Sequence, residues 1–207
     1  MKLVLILYAL AIALTSSAQI KPVPLDKKAL PKAIHYDGHI INAVKYTDNE
    51  GDHMVITTET GEVEVKEDGE SFTKADVYAY NYVMSGGKPT LAWQMHDFTI
   101  ICPVDTKAKY VPGTFAVTDL NKDGKAEIWL MYRIACRGDV SPASMKIIMH
   151  EGNKKYAVRG TSKIKISDKD YSGGEYTVDD ALKTGPAVFK QYALQLWEKN
   201  LLETGDY

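Results

Sequence analysis

This chain lacks the short signatures by which most enzymes announce their chemistry. It has no Gly-x-Ser-x-Gly elbow, no His-Glu-x-x-His pair, no Walker-type phosphate loop and no Cys-x-x-Cys. Those spacings expose a nucleophile, seat zinc on a helix, cradle a phosphate or poise a redox dithiol, and each chemistry loses its usual support here. An excess of one charge is also lacking, with 25 Lys and Arg against 27 Asp and Glu, a net charge of −2. Without a basic face, neither nucleic acid nor an anionic membrane finds its counter-charge. The Lys-rich piece KIKISDKD, Lys163 to Asp170, is interrupted by acids and reads as the solvated face of a strand. Long apolar runs are scarce as well. The run Leu3 to Leu14 spans twelve residues, short of the roughly 20 that a membrane-crossing helix needs.

What that run does resemble is the middle of a signal peptide. Lys2 precedes it, the small and polar Thr15-Ser16-Ser17-Ala18 follows, and cleavage is expected after Ala18. No Cys follows the run, so no lipid anchor is expected. The expectation is an exported protein, periplasmic or at the cell surface, with no stable membrane span after cleavage. Loss of Lys2 takes the balance to 24 basic and 27 acidic residues, a net charge of −3.

Cysteine is limited to Cys102 and Cys136. Outside the cytoplasm a thiol pair oxidises by default, so a disulfide is expected, with two buried thiols or a metal pair as the alternatives. The metal pair has neither the Cys-x-x-Cys spacing nor an accompanying His pair. A bridge over this separation contributes on the order of 3–4 kcal/mol by loop entropy.

Pro22, Pro24 and Pro31 mark residues 19–35 as an extended, poorly ordered leader. From residue 36 to 207 a single β-rich domain is expected. HIINAVKY and HMVITTET flank the turn TDNEGD, DVYAYNYVM and LAWQMHDFTII flank SGGKPT, and GEVEVKEDGE alternates with period 2. Short strands around Gly-centred turns predict a mainly β fold of antiparallel hairpins, propeller-like or sandwich-like, with one C-terminal α-helix. That helix is placed at about 185–203, with Thr184 as N-cap, Pro186 in the first turn, and Phe189, Ala193, Leu196, Trp197 and Leu201 on one face. A faint internal echo links VKYTDNEGDHMVITT with AVTDLNKDGKAEIWLMY, each a strand, an acidic Gly turn and a strand.

The second of these turns is the main candidate site. In DLNKDGKAE, the side chains of Asp119, Asn121 and Asp123 alternate, Gly124 permits a sharp bend, Lys125 offers its carbonyl and Glu127 closes the ring. Calcium takes six to eight oxygen ligands on a tightly curled backbone, so this loop can hold Ca2+. Equally, Asn-Lys-Asp-Gly is a favourable hairpin turn with Gly124 at positive φ. Leu130 stands where an EF-hand requires an acid, and the flanks are strand-like, which excludes an EF-hand.

The stretch FAVTDLNKDGKAEIW resembles the calcium loop of FG-GAP and VCBS repeats, which lies between two strands of a propeller blade; Asn121 and Glu127 stand where Asp is commoner. A wider resemblance is carried by WQMHDFTIICPVD and by TDLNKDGKAEI, continuing through ACRGDVSPASMK. These stretches are similar to a family of exported bacterial proteins assigned to surface polysaccharide biosynthesis, over roughly Tyr46 to Lys163. That family has no assigned catalytic residues, so the resemblance implies an envelope role linked to cell-surface glycan and not a mechanism. Gly138 stands where that family carries Ser, and it creates Arg137-Gly138-Asp139, which reads as a coincidental tripeptide.

Other constellations are thinner. His35 and His39 are four apart, but Gly38 and the β context spoil a helical metal pair. His96 and Asp97 could orient one another as base and carboxylate, although nothing supplies a nucleophile. Tyr78, Tyr80 and Tyr82 share one strand face and, with Trp93, could stack on sugar rings or simply fill a core. The leading expectation is a non-catalytic envelope protein that binds surface polysaccharide or its assembly machinery. The alternatives are an extracytoplasmic enzyme acting on polysaccharide and a calcium-stabilised module binding another envelope protein. An open aromatic platform favours the first, and a closed cleft with two facing carboxylates the second.

Overall fold

A computed structural model describes residues 20–204, so the expected signal peptide lies outside the described residues. The fold is mainly β, antiparallel, without a closed barrel, and it ends in a helix. The first sheet contains β1 (Val23–Pro24), β2 (His39–Asp48), β3 (Gly51–Glu59), β6 (Asp76–Ser85) and β7 (Lys88–Phe98) in that spatial order. Between β3 and β6 the chain makes a separate hairpin of β4 (Val63–Glu67) and β5 (Glu70–Lys74).

The second sheet is ordered β15 (Tyr176–Val178), β12 (Lys154–Thr161), β11 (Ser144–Glu151), β10 (Glu127–Cys136) and β8 (Thr106–Tyr110). The short β9 (Ala116–Thr118) also pairs with β10, and β13 (Lys163–Lys165) pairs with β14 (Tyr171–Gly173). Helices α1 (Asp180–Thr184) and α2 (Ala187–Lys199) close the chain. Asp179 caps α1 by accepting the Leu182 N–H at 2.8 Å, a cap not anticipated from the sequence. No helix among the described residues is long and apolar enough to cross a membrane.

The two sheets pack face to face. Val44, Val55, Val77, Ala79 and Met95 of the first meet Ala108, Ile128, Leu130, Tyr132, Ile148 and Ala157 of the second. Alternate residues on β10 point the other way, and Trp129 and Met131 join Met145, Ile147 and Met149 beneath Phe189, Ala193 and Trp197 of α2. The second sheet is therefore buried on both faces. This explains why EIWLMYRIA runs apolar without alternation.

The first sheet has a thinner outer cover. Leu25, Leu30 and Ile34 pack on Ile40, Ala43, Met54, Ile56, Tyr80 and Tyr82. The Leu25 N–H donates to the Ala43 carbonyl at 2.9 Å, and Pro24 sits on the sheet edge, where its missing N–H costs nothing. The proline-bearing segment lies on the sheet instead of trailing away from it, because its few apolar side chains bury there.

Cys102 and Cys136 are bonded, with Cα atoms 5.8 Å apart. The bridge joins the segment after β7 to the end of β10, and so ties the first sheet to the second. A bonded pair is compatible with an extracellular location.

Candidate functional site

Residues 119–126 connect β9 to β10, and the loop is shaped by its own carboxylates. Glu127 is fully buried at the start of β10. Its carboxylate accepts the Thr118 hydroxyl at 2.6 Å, the Leu120 N–H at 2.9 Å and the Asn121 N–H at 3.4 Å. Burial raises its pKa above the ordinary carboxylate range, opposed by those donors. Asp119 Oδ2 accepts the Gly124 N–H at 3.2 Å, Asn121 Oδ1 accepts the Asp123 N–H at 3.1 Å, and Asp123 Oδ1 accepts the Lys125 N–H at 2.9 Å. Lys122 and Gly124 take the positive φ values of 61° and 83° that complete the bend.

The bend does not stand alone. It docks on the turn between β2 and β3. The Asn49 N–H donates to the Gly124 carbonyl at 2.9 Å, the Asn49 side chain to the Asp123 carbonyl at 3.0 Å, and the Ala126 N–H to Asp48 Oδ2 at 3.0 Å. The Lys125 ammonium reaches Glu50 at 2.6 Å. A Cβ on Gly124 would run into the Asn49 side chain, so contact as well as φ selects glycine here. The two turns related by the sequence echo thus meet at the seam between the sheets.

The five residues predicted as ligands divide into roles. Asp119, Asn121 and Asp123 share the loop, Glu127 fixes its backbone, and the Lys125 side chain serves the docking. Among the described residues no group of three or more His, Cys, Asp or Glu is arranged to hold a metal ion. One atom is nonetheless left over. Asp119 Oδ1 is buried with no hydrogen-bond partner. A buried carboxylate oxygen without a donor is costly, and an oxygen-rich loop around it is the donor set that calcium takes.

The tyrosine stripe occupies the outer face of the first sheet, where residues 33–37 cross it. The Tyr82 hydroxyl donates to the His35 carbonyl at 2.5 Å. The Asp37 N–H donates to the Tyr80 oxygen at 3.0 Å, and the Tyr80 hydroxyl faces Asp37 Oδ2 at 3.3 Å. Burial, more than the neighbouring carboxylate, pushes the Tyr80 pKa up to about 12. Beside them opens a cleft of about 640 Å³, lined by Tyr36, Asp37, Tyr80, Tyr82, Leu91 and Gln94 among others.

Tyr78 lies further along, stacked on His96 with centroids 4.3 Å apart. Trp93 is separated from all three, because it lies on the opposite face of its strand and stacks on His150 at 4.1 Å between the sheets. The same alternation corrects the His96–Asp97 pairing. His96 Nε2 lies 2.7 Å from Asp76 Oδ1, whereas Asp97 turns to Lys146 at 2.6 Å and the Tyr132 hydroxyl at 2.8 Å. Asp76 was missed because its register with β7, not its position in the chain, brings it to His96. In the Arg137-Gly138-Asp139 tripeptide the guanidinium is held by Glu203 and the Ser141 carbonyl.

Comparison with family models, with curated proteins and with solved structures finds no match to this chain.

Proposed function

We propose that this chain is an exported, non-catalytic envelope protein that binds cell-surface polysaccharide in the cleft beside the tyrosine stripe. The observation that carries this reading is the lining of that cleft. Tyr36, 40% exposed, offers an aromatic face beside the polar groups of His35, Asp37 and Gln94, while Tyr80 and Tyr82, 3% and 6% exposed, form the buried floor. Rings that stack on sugar and a few hydrogen-bonding groups that orient it are what such a ligand needs. Among the described residues, Asp37 is the single carboxylate of the lining. Glycoside hydrolysis by the usual route takes two carboxylates across the scissile bond, and this supports binding over cleavage. The disulfide fits the same location.

Within this reading the loop from Asp119 to Glu127 takes a calcium ion, supported by the donor-free Asp119 Oδ1. Side-chain oxygens of Asp119, Asn121 and Asp123 and the Lys125 carbonyl would hold it, with Glu127 fixing the backbone. When bound, the ion supplies positive charge to the docked pair of turns.

A glycan array of surface-polysaccharide fragments tests the binding, with Tyr36→Ala and Gln94→Ala as controls. Expected is binding by the wild type, weakened about tenfold, or about 1.4 kcal/mol, by Tyr36→Ala. An array on which the wild type retains no sugar rejects the reading. In that event a partner protein moves ahead, favoured by Phe98, Ile100, Ile101 and Val104, all exposed apolar residues within one short segment.

A further inference from the structure

The cleft beside the tyrosine stripe has the exposed carboxylate of Asp37 in its lining and, among the described residues, no Lys or Arg. Among the same residues none pairs with Asp37 from outside the cleft either. Lys32 and Lys88 adjoin lining residues in the chain, but both are exposed and outside the lining. The carboxylate is held in place without being used up. The Asp37 N–H donates to the Tyr80 oxygen at 3.0 Å, and Oδ2 faces the Tyr80 hydroxyl at 3.3 Å. Oδ1 accepts no hydrogen bond from the described residues. Gly38 follows at φ 78°, where a Cβ would come within 2.7 Å of the Glu59 carbonyl oxygen, so the chain after Asp37 is pinned to the end of β3.

The negative field of this face extends beyond Asp37 itself. Burial first, and then the charges of Asp76 and Asp37, hold the Tyr78 hydroxyl above the ordinary tyrosine pKa. Asp76 is answered by His96 at 2.7 Å, whereas Asp37 meets the neutral hydroxyl of Tyr80. Next to Asp37 stands Tyr36, 40% exposed, and the same lining holds Leu91, 45% exposed, and the exposed Gln94. A carboxylate beside an aromatic face is the pair that recognises an ammonium group, with an ion pair on one side and a cation–π contact on the other. A sugar carboxylate would instead be repelled here.

Resting on the reading of this cleft as a glycan site, we propose that its ligand is a polymer of hexosamine with free ammonium groups. One ammonium sits between the Asp37 carboxylate and the Tyr36 ring. Leu91 takes the apolar face of a neighbouring sugar, and Gln94 its hydroxyls. Acetylation of the nitrogen removes the charge and with it both ammonium contacts.

Calorimetric titration of the full mature chain with a glucosamine tetramer, its fully N-acetylated counterpart and trilysine tests the proposal. Expected is a Kd of about 1 mM or tighter for the glucosamine tetramer, with the acetylated tetramer about tenfold weaker. Trilysine, which offers ammonium groups without sugar, should also bind at least about tenfold more weakly. Asp37→Asn keeps the main-chain bond to Tyr80, so the melting temperature should hold while the preference for the free amine shrinks to about twofold or less. Added salt should narrow the same preference in the wild type. Equal affinity for the two tetramers, or a preference that survives Asp37→Asn, overturns the proposal and leaves the glycan cleft standing. Binding of neither tetramer also overturns it, and a glycan array without any bound sugar removes the cleft reading as well. Trilysine bound as tightly as the glucosamine tetramer would replace the sugar with a basic peptide.

Discussion

The turn between β2 and β3 and the loop between β9 and β10 begin alike, with Thr47-Asp48 and Thr118-Asp119. In each, the threonine hydroxyl donates at 2.6 Å to a carboxylate at the start of the following strand, Asp52 in the first and Glu127 in the second. From there they diverge. Asp48 has both oxygens engaged, Oδ1 by the Glu50 N–H at 2.7 Å and His53 at 3.1 Å, Oδ2 by Ala126 of the opposite sheet. Asp119 has one oxygen engaged and one buried without a donor. Asp52 is exposed where Glu127 is fully buried. The first bend is thus a closed knot of hydrogen bonds, and the second is the same plan left one donor short. Two copies of one turn can therefore serve as clasp and as candidate ion site, depending on a single acceptor.

The largest effect expected from breaking this contrast comes from the two strand-start carboxylates. Glu127→Ala strands the Leu120 and Asn121 amides and the Thr118 hydroxyl, and should cost about 3 kcal/mol in urea unfolding, whereas Asp52→Ala should stay within about 0.5 kcal/mol. Similar losses for both would mean that the bends are equivalent after all. Next comes the ion. At a hundredfold excess over its Kd, calcium should stabilise the wild type by about 2.7 kcal/mol and leave Asp119→Ala unmoved. An equal rise in melting temperature for both proteins would remove the loop site.

The seam beneath the bends also carries a pH dependence. Burial, with Lys155 nearby, lowers the His150 pKa to about 4. The unfolded chain therefore takes up this proton first. The histidine's contribution is complete above pH 6.5 and is lost as the pH falls towards 4, amounting to about 2.5 kcal/mol between pH 7 and pH 4.5. Urea midpoints at pH 7 and pH 4.5 should fall further for the wild type than for His150→Phe, and parallel falls would count against it. Gly124→Ala follows at about 1–2 kcal/mol, from the positive φ and the Asn49 contact. Smallest is Asn49→Ala, at about 1 kcal/mol for the side-chain bond that docks one bend on the other. If its double cycle with Gly124→Ala shows no coupling, the bends do not support each other.

The β class was legible because alternation and Gly-centred turns report directly on half-buried hairpins, as in HIINAVKY before TDNEGD. The cysteine pairing was legible from number and from the expected compartment. The loop was legible through Asp119, Asn121, Asp123 and Gly124, whose spacing is local. The missing parts all depend on register or on distance in the chain. Asn49 and Asp48 reach the loop from more than seventy residues upstream, and Asp76 replaces Asp97 beside His96 because neighbours on a strand face opposite ways. Trp93 was grouped with the tyrosines by proximity in the sequence, and the same parity rule separates it. The leader's scattered Leu25, Leu30 and Ile34 show no periodicity, yet the sheet they cover is apolar enough to hold them.

The spatial order of strands in each sheet follows their order in the polypeptide, with only short pieces set to one side. Each ribbon can consequently assemble from segments as they emerge, the earlier one before the later one has been synthesised. What must wait is the joining of the halves, when Asn49 meets Gly124 and the Cys102–Cys136 bridge fastens them, and during that interval the apolar inner faces have only each other, or a chaperone, for shelter.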